Sequence, residues 1–175
     1  LISVGCSREP TMEIVEVERR IRDLLQLHTQ EHVYRDIVYF GEERSFLFFR
    51  TMDRRLLFSV NFRVRAGIDL SEGLRIIPDS VDPSRLYIRL PAAEVLLVDA
   101  DETSINQYFL REQGGRITWL EYSDQIEGAR ERIRREAIDR GILEQAEQTA
   151  VRVLGNFFAL AGFSTVEFDI APRED

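Results

Sequence analysis

The sequence predicts an α+β fold, in which a mainly antiparallel sheet of five to seven strands is covered by a C-terminal pair of helices. Apolar and polar residues alternate strictly from Phe58 to Ile68, which is typical of a strand with one buried face. From Asp124 to Ala161 the apolar residues recur at three- and four-residue steps, as they do on a helix. A run of strands is therefore followed by a run of helices, which indicates an α+β domain. A further helix precedes the sheet, and a final strand follows the helices.

Size and composition fit one folded domain. The chain has 175 residues, of which 44% are hydrophobic and 31% are charged. Its 31 acidic and 23 basic residues give a net charge of -8, which argues against a nucleic-acid partner. All basic residues are Arg, so a Schiff-base or P-loop lysine is excluded. No pattern predicts a cofactor. We expect a single α+β domain over residues 28–175.

The segment before this domain has two predicted parts. Residues 1–10 predict a disordered lead-in or the remnant of a membrane anchor. The run LISVGC resembles the end of a bacterial lipoprotein signal, which makes Cys6 the candidate lipid anchor; a spanning helix that ends near Val4 is the alternative. Residues 11–27 carry apolar residues at helical spacing and predict a helix, through which two copies of the chain could associate.

The strands follow in order. Residues 32–40 predict a first strand that ends at Gly41, and residues 45–50 predict a second. We expect a turn over 51–54 and then the alternating strand 58–68. Residues 94–99 predict a buried strand or the start of a bend, followed by a turn capped by Asp101 or Thr103. The other predicted strands are 74–78, 85–90 and 165–170.

The helical pair has recognisable ends. Asp124 and Glu127 have the spacing of a capping box, so we expect the first helix to begin there. Gly141 predicts a break between the helices, and Gly162 predicts the end of the second. The predicted buried faces comprise Ile126, Ala129, Ile133 and Ala137 in the first helix and Leu143, Ala146, Ala150, Leu154, Phe157 and Ala161 in the second.

One motif suggests a metal site. His28, Glu31 and His32 match H-x-x-E-H, the pattern of an inverted zinc protease, which needs both histidines on one helical face. Here the pattern lies where helical periodicity ends and strand alternation begins. On a strand the two histidines would be about 13 Å apart. We therefore expect these three residues to be ordinary polar residues and not zinc ligands.

A second candidate site lies on the polar face of the alternating strand. Arg63 and Arg65 share this face with Asn61. An intramolecular charge match with acidic residues would explain the two arginines. The alternative is a site for an anionic ligand at Arg63, Arg65 and Asn61.

Three segments together resemble the uncharacterised bacterial family called domain of unknown function 4230. They are RRLLFSVNFRVRAGIDLS at 54–71, LYIRLPAAEVLLVDADETSI at 86–105 and AIDRGILEQAEQTAVRVLGNFFALAGFSTVEF at 137–168. The resemblance implies no activity and no catalytic residues. It implies a bacterial protein whose soluble domain usually follows an N-terminal membrane-spanning or signal segment.

We therefore expect a non-catalytic binding or scaffold domain of the bacterial cell envelope, held at the membrane through its N-terminus. Its partner would be an unidentified protein or a small ligand. The alternatives are a small metal-dependent hydrolase that uses His28, Glu31 and His32, and a module that binds an anionic small ligand. A cytoplasmic location is the alternative to the envelope.

Overall fold

A computed structural model of the chain describes residues 26–71 and 73–173. These residues form two compact units. We call the first the hairpin unit; it comprises His28–Ile68 and Ala93–Ala150. The second, the small-sheet unit, contains Asp69–Ala92 and the described residues from Val151 onward. The predicted lead-in with Cys6, and residues 11–25 of the predicted N-terminal helix, lie outside the described residues.

The hairpin unit is built on a sheet of three long strands. Strands β1 (Gln26–Phe46) and β2 (Phe49–Asp69) form a hairpin, and β5 (Glu94–Gln113) pairs antiparallel with β2. The strand order is β1-β2-β5. The predicted alternation of β2 is confirmed, because its apolar face is fully buried at Phe58, Val60, Phe62, Val64 and Ala66.

The first hairpin corrects three predicted boundaries. Gly41 does not end the strand, because it lies within β1 with the ring of Tyr39 over the space a side chain would fill. The turn is at Leu47 and Phe48 and not at residues 51–54, which continue β2. The predicted helix 11–27 is wrong at its last two residues, 26 and 27, which begin β1. In each case pairing between strands outweighs the local sequence signal.

Helix α1 (Trp119–Asp139) packs against β5. Its predicted buried face of Ile126, Ala129, Ile133 and Ala137 is confirmed. The predicted start at Asp124 is wrong, because the helix begins five residues earlier. Thr118 is the N-cap, and its side chain and that of Glu121 form a complete capping box. Thr118 and Glu121 have the same spacing as Asp124 and Glu127, so the sequence pattern alone could not show at which pair the helix begins.

Helix α2 (Ile142–Leu160) follows the predicted break at Gly141, whose φ of +79° suits glycine. Leu154 is buried as predicted, but Phe157 is not: it is 44% exposed, and Phe158 is buried in its place. The apolar face therefore continues four residues beyond Leu154 and not three, as a period of 3.6 allows. The residues of α2 from Val151 onward belong to the small-sheet unit.

The small-sheet unit contains the other three strands that the structure describes. They are β3 (Arg75–Pro78), β4 (Arg85–Leu90) and β6 (Thr165–Ile170), in the order β3-β4-β6. β3 and β4 are antiparallel, whereas β4 and β6 are parallel. All three confirm the strands predicted there. The described residues thus form six strands and two C-terminal helices, and the α+β class is confirmed.

Candidate functional site

The H-x-x-E-H pattern lies in strand β1 and not on a helix. His28 and His32 occupy strand positions about 13 Å apart, and Glu31 points to the face opposite His32. The His32 Nε2 atom is 2.8 Å from Gln30 Nε2, and its Nδ1 is 3.4 Å from the hydroxyl of Tyr34. Among the described residues, no group of three His, Cys, Asp or Glu could hold a metal ion. The pattern therefore lacks the helical arrangement that zinc-protease chemistry requires.

Arg63 and Arg65 share one carboxylate from the neighbouring strand. Arg65 Nε donates a hydrogen bond to Glu31 Oε2 over 2.6 Å, and Arg63 Nε lies 3.3 Å from Glu31 Oε1. The hydrogen bond from Arg65 is the main reason that the pKa of Glu31 is lowered. Asn61 Oδ1 accepts a hydrogen bond from Arg35 Nε over 3.0 Å. The three predicted anion-binding residues thus share a face on which an internal carboxylate already contacts both arginines.

The acidic segment after residue 98 forms an irregularity within β5. Asp101 Oδ1 accepts hydrogen bonds from the backbone nitrogen and the hydroxyl of Thr103. The bond from the hydroxyl contributes most to lowering the pKa of Asp101. Ser104 Oγ donates to the carbonyl of Asp101 and accepts from the backbone nitrogen of Asn61. The predicted end of the strand at this turn is wrong, because β5 continues through Asp101 to Gln113.

A buried carboxylate that no sequence pattern predicted joins β2 to β5. Asp53 is fully buried, and its Oδ2 accepts a hydrogen bond from Arg111 Nη1 over 2.8 Å. Arg55 Nε lies 2.8 Å from the other oxygen, and Arg50 Nη1 lies 3.5 Å from Oδ2. The bond from Arg111 is the main cause of the lowered pKa of Asp53. No local pattern could reveal this cluster, because Arg111 is 58 residues away in sequence.

Arg54 joins the hairpin to the start of α1. Its guanidinium contacts Glu42 of β1 and donates hydrogen bonds to Glu121 Oε1 over 2.7 Å and to the carbonyl of Arg116 over 2.9 Å. Glu121 also accepts a hydrogen bond from the backbone nitrogen of Thr118. That bond and the contact with Arg54 lower the pKa of Glu121 to about 2. These contacts fix the hairpin against the helix without leaving a free reactive group among them.

The end of the hairpin is strongly apolar and exposed. We call Phe46–Phe49 the apolar tip; the exposed fractions of its four residues run from 69% to 97%. Leu47 has a φ of 56°, which is unusual for a residue with a side chain. Strand β5 ends at Gln113, opposite Asp53, so among the described residues the hairpin beyond Asp53 has no third strand beside it. The sequence pattern of residues 45–50 predicted a strand through this segment and not a turn.

A family model described as "Protein of unknown function (DUF4230)" matches residues 19–168. The chain belongs to this family. The match confirms the resemblance seen in the sequence, and it covers most of both units of the DUF4230 chain. No curated protein and no solved structure gives a significant match. The family description states no activity.

The small-sheet unit of the DUF4230 chain has a shallow depression on the surface of its sheet, lined in part by Ile77 and Tyr87. Some of its charged groups pair across neighbouring strands. Arg89 Nη2 lies 2.8 Å from Asp169 Oδ2, and this pair, too, contributes to the lining. The depression brings together no nucleophile with a base.

Among the described residues, no helix is long and apolar enough to cross a membrane.

Proposed function

We propose that this DUF4230 chain is a non-catalytic binding domain of the bacterial cell envelope, which docks through the apolar tip. One observation carries the proposal: four consecutive large apolar side chains, Phe46–Phe49, stand exposed at the end of a hairpin. Exposed apolar residues scattered singly are normal on a soluble protein, but a contiguous patch is typical of an interaction site. The tip therefore needs a partner that shields it from water.

The groups that suggested chemistry support binding rather than hydrolysis. Glu31, the candidate general base, is held by Arg63 and Arg65 on the face opposite His32. The buried Asp53 is surrounded by arginines and holds two strands together. A general base must be able to reach the proton it removes, and neither carboxylate is free to do so.

The envelope location rests on the sequence of residues 1–6. LISVGC ends in the lone cysteine and resembles a lipoprotein signal, so we propose that Cys6 or an adjacent spanning segment holds the domain at a membrane. Fractionation of native cells that express the full-length gene tests the location. Recovery of the protein wholly in the soluble fraction, without lipid on Cys6, would favour the cytoplasmic alternative.

Cysteine labelling tests whether the tip is covered in the cell. Phe48→Cys places a thiol at the tip, and Leu160→Cys places one on another residue that is 90% exposed. The parent chain, which retains Cys6, gives the background. We expect a maleimide to label both variants when purified, and to label only Leu160→Cys in native cells or membranes prepared from them. Equal labelling of both variants there would contradict the docking proposal.

A second candidate function is favoured by the clustering of Arg35, Arg63 and Arg65 on one sheet face. An anionic small ligand could replace Glu31 on the two arginines of β2. Inorganic phosphate and citrate are suitable probes in a thermal-shift measurement. If the site binds anions, Glu31→Gln should strengthen the shift and Arg65→Gln should abolish it. No shift in any of the three proteins would exclude these two anions as ligands of this face.

A further inference from the structure

We infer that the apolar tip, Phe46–Phe49, inserts into the interface of a lipid bilayer. The inference deepens the proposed function and rests on it, because it names the partner that covers the tip. It concerns the end of the hairpin and is independent of any attachment through residues 1–10.

The shape of the tip favours a bilayer. A two-residue turn closes the hairpin, and β5 ends before the tip, so the apolar side chains project from a narrow end. Phe48 at the apex is 97% exposed, so the described part of the chain covers almost none of it. A protein partner would have to supply a groove that fits this projection. A bilayer needs no complementary shape, since its acyl chains rearrange around the inserted side chains.

The spacing of the charges fits the depth of the interface. Arg50 is two residues from Phe48 and Arg44 is three residues from Leu47, which places them about 7 and 10 Å along the strands from the apex. Apolar faces that lie in a membrane interface are buried by about 5–10 Å. The guanidinium groups would then lie at the level of the lipid headgroups, which suits the long arginine side chain.

The area of the tip argues against a second copy of the chain as the partner. Four side chains of about 200 Å² each, exposed by 69% to 97%, present about 600 Å². A stable protein–protein interface needs about 800 Å² from each partner. Two projecting tips also leave part of their area uncovered when they meet.

The charges beside the tip are already paired. Arg44 Nη2 lies 2.7 Å from Glu42 Oε1, and Arg50 Nε lies 2.9 Å from Glu43 Oε1. Attraction to anionic lipids should therefore add little, and apolar insertion should dominate. We expect similar binding to vesicles of phosphatidylcholine and to vesicles that also contain phosphatidylglycerol.

Vesicle co-sedimentation of the purified chain tests the inference. Phe48→Asp places a charge at the apex, and Leu160→Asp is the matched control on a residue of similar exposure. Both side chains are almost free of contacts, so neither change should unfold the protein, and circular dichroism checks this. We expect Phe48→Asp to lower the partition coefficient about tenfold or more, and Leu160→Asp to leave it unchanged.

Fluorescence gives an independent measurement. Trp119 is the only tryptophan of the chain, so Phe48→Trp on a Trp119→Phe background carries one reporter at the apex. Its emission should shift to shorter wavelength when phosphatidylcholine vesicles are added. A solvent-exposed tryptophan placed at Leu160 on the same background should show no shift.

The possible outcomes separate the partners. Absence of vesicle binding, or equal binding by Phe48→Asp, would overturn the bilayer inference. If the tip is nevertheless protected in native cells, the proposed function stands and the partner is a protein. If the chain instead forms a dimer in solution that Phe48→Asp dissociates, the partner is a second copy.

Discussion

Phe158→Ala should strongly destabilise the small-sheet unit. The Phe158 side chain is 1% exposed, and its ring meets that of Phe163 edge-to-face with the centroids 6.0 Å apart. Truncation to alanine removes about 120 Å² of buried apolar surface, which at about 25 cal/mol per Å² amounts to ~3 kcal/mol. The remaining cavity adds to this loss, and measured Phe→Ala changes in protein cores reach about 5 kcal/mol. We therefore expect a loss of about 3–5 kcal/mol.

The preceding residue is a matched control. Phe157 is 44% exposed and has the same side chain on the same helix, so Phe157→Ala should cost about half as much or less. Urea unfolding followed by circular dichroism measures both losses. A loss below about 1 kcal/mol for Phe158→Ala, or equal losses for the two variants, would refute the assignment of Phe158 to the core.

Two further predictions concern the helices. The pKa of Glu121 in the folded chain is about 2, below its ordinary value of 4.5, so its stabilising contribution is fully present above pH 4.5 and is lost as the pH falls toward 2. Glu121→Gln should therefore reduce the acid dependence of the unfolding free energy; an unchanged profile from pH 5 to 2 would contradict this. Gly141 has a φ of +79°, so Gly141→Ala should destabilise the fold by about 1–2 kcal/mol in urea unfolding. Gly128 lies inside α1, where an added Cβ would be 3.8 Å from the Arg132 side chain, an ordinary contact, so Gly128→Ala should stabilise the fold by about 0.5–1 kcal/mol. If the two substitutions changed the unfolding free energy in the same direction, the backbone conformations described at Gly141 and Gly128 would be contradicted.

The elements that could be predicted from sequence are those whose burial has a clear period. The alternation in β2 and the apolar face of α1 follow directly from periods of 2 and 3.6 residues. The second half of β5 is mostly exposed and carries no such pattern; it is a strand because β2 pairs with it. Phe157 and Phe158 are both compatible with the apolar face of α2, so only packing decides which one is buried.

The candidate sites could be predicted less well than the helices and strands, because they depend on contacts between residues distant in sequence. Arg63, Arg65 and Glu31 were each singled out in the sequence, but their mutual contact follows from the pairing of β1 with β2. The cluster around Asp53 needs β2 and β5, whose paired residues are distant in sequence. The turn of the apolar tip was not predicted, because it contains none of the residue types that usually mark a turn.

The backbone conformation of Leu47 bears on why this residue type occupies the hairpin turn. A residue with a side chain in the left-handed region carries backbone strain of about 1–2 kcal/mol, and asparagine or glycine is the usual solution in a two-residue turn. Folding alone would thus favour a different residue at this position. Leu47 is also 77% exposed, so packing inside the chain returns little of that energy. The turn is thus less stable than one with asparagine or glycine at this position, but it keeps a large apolar side chain exposed. This is expected where a surface is under selection for something other than the fold.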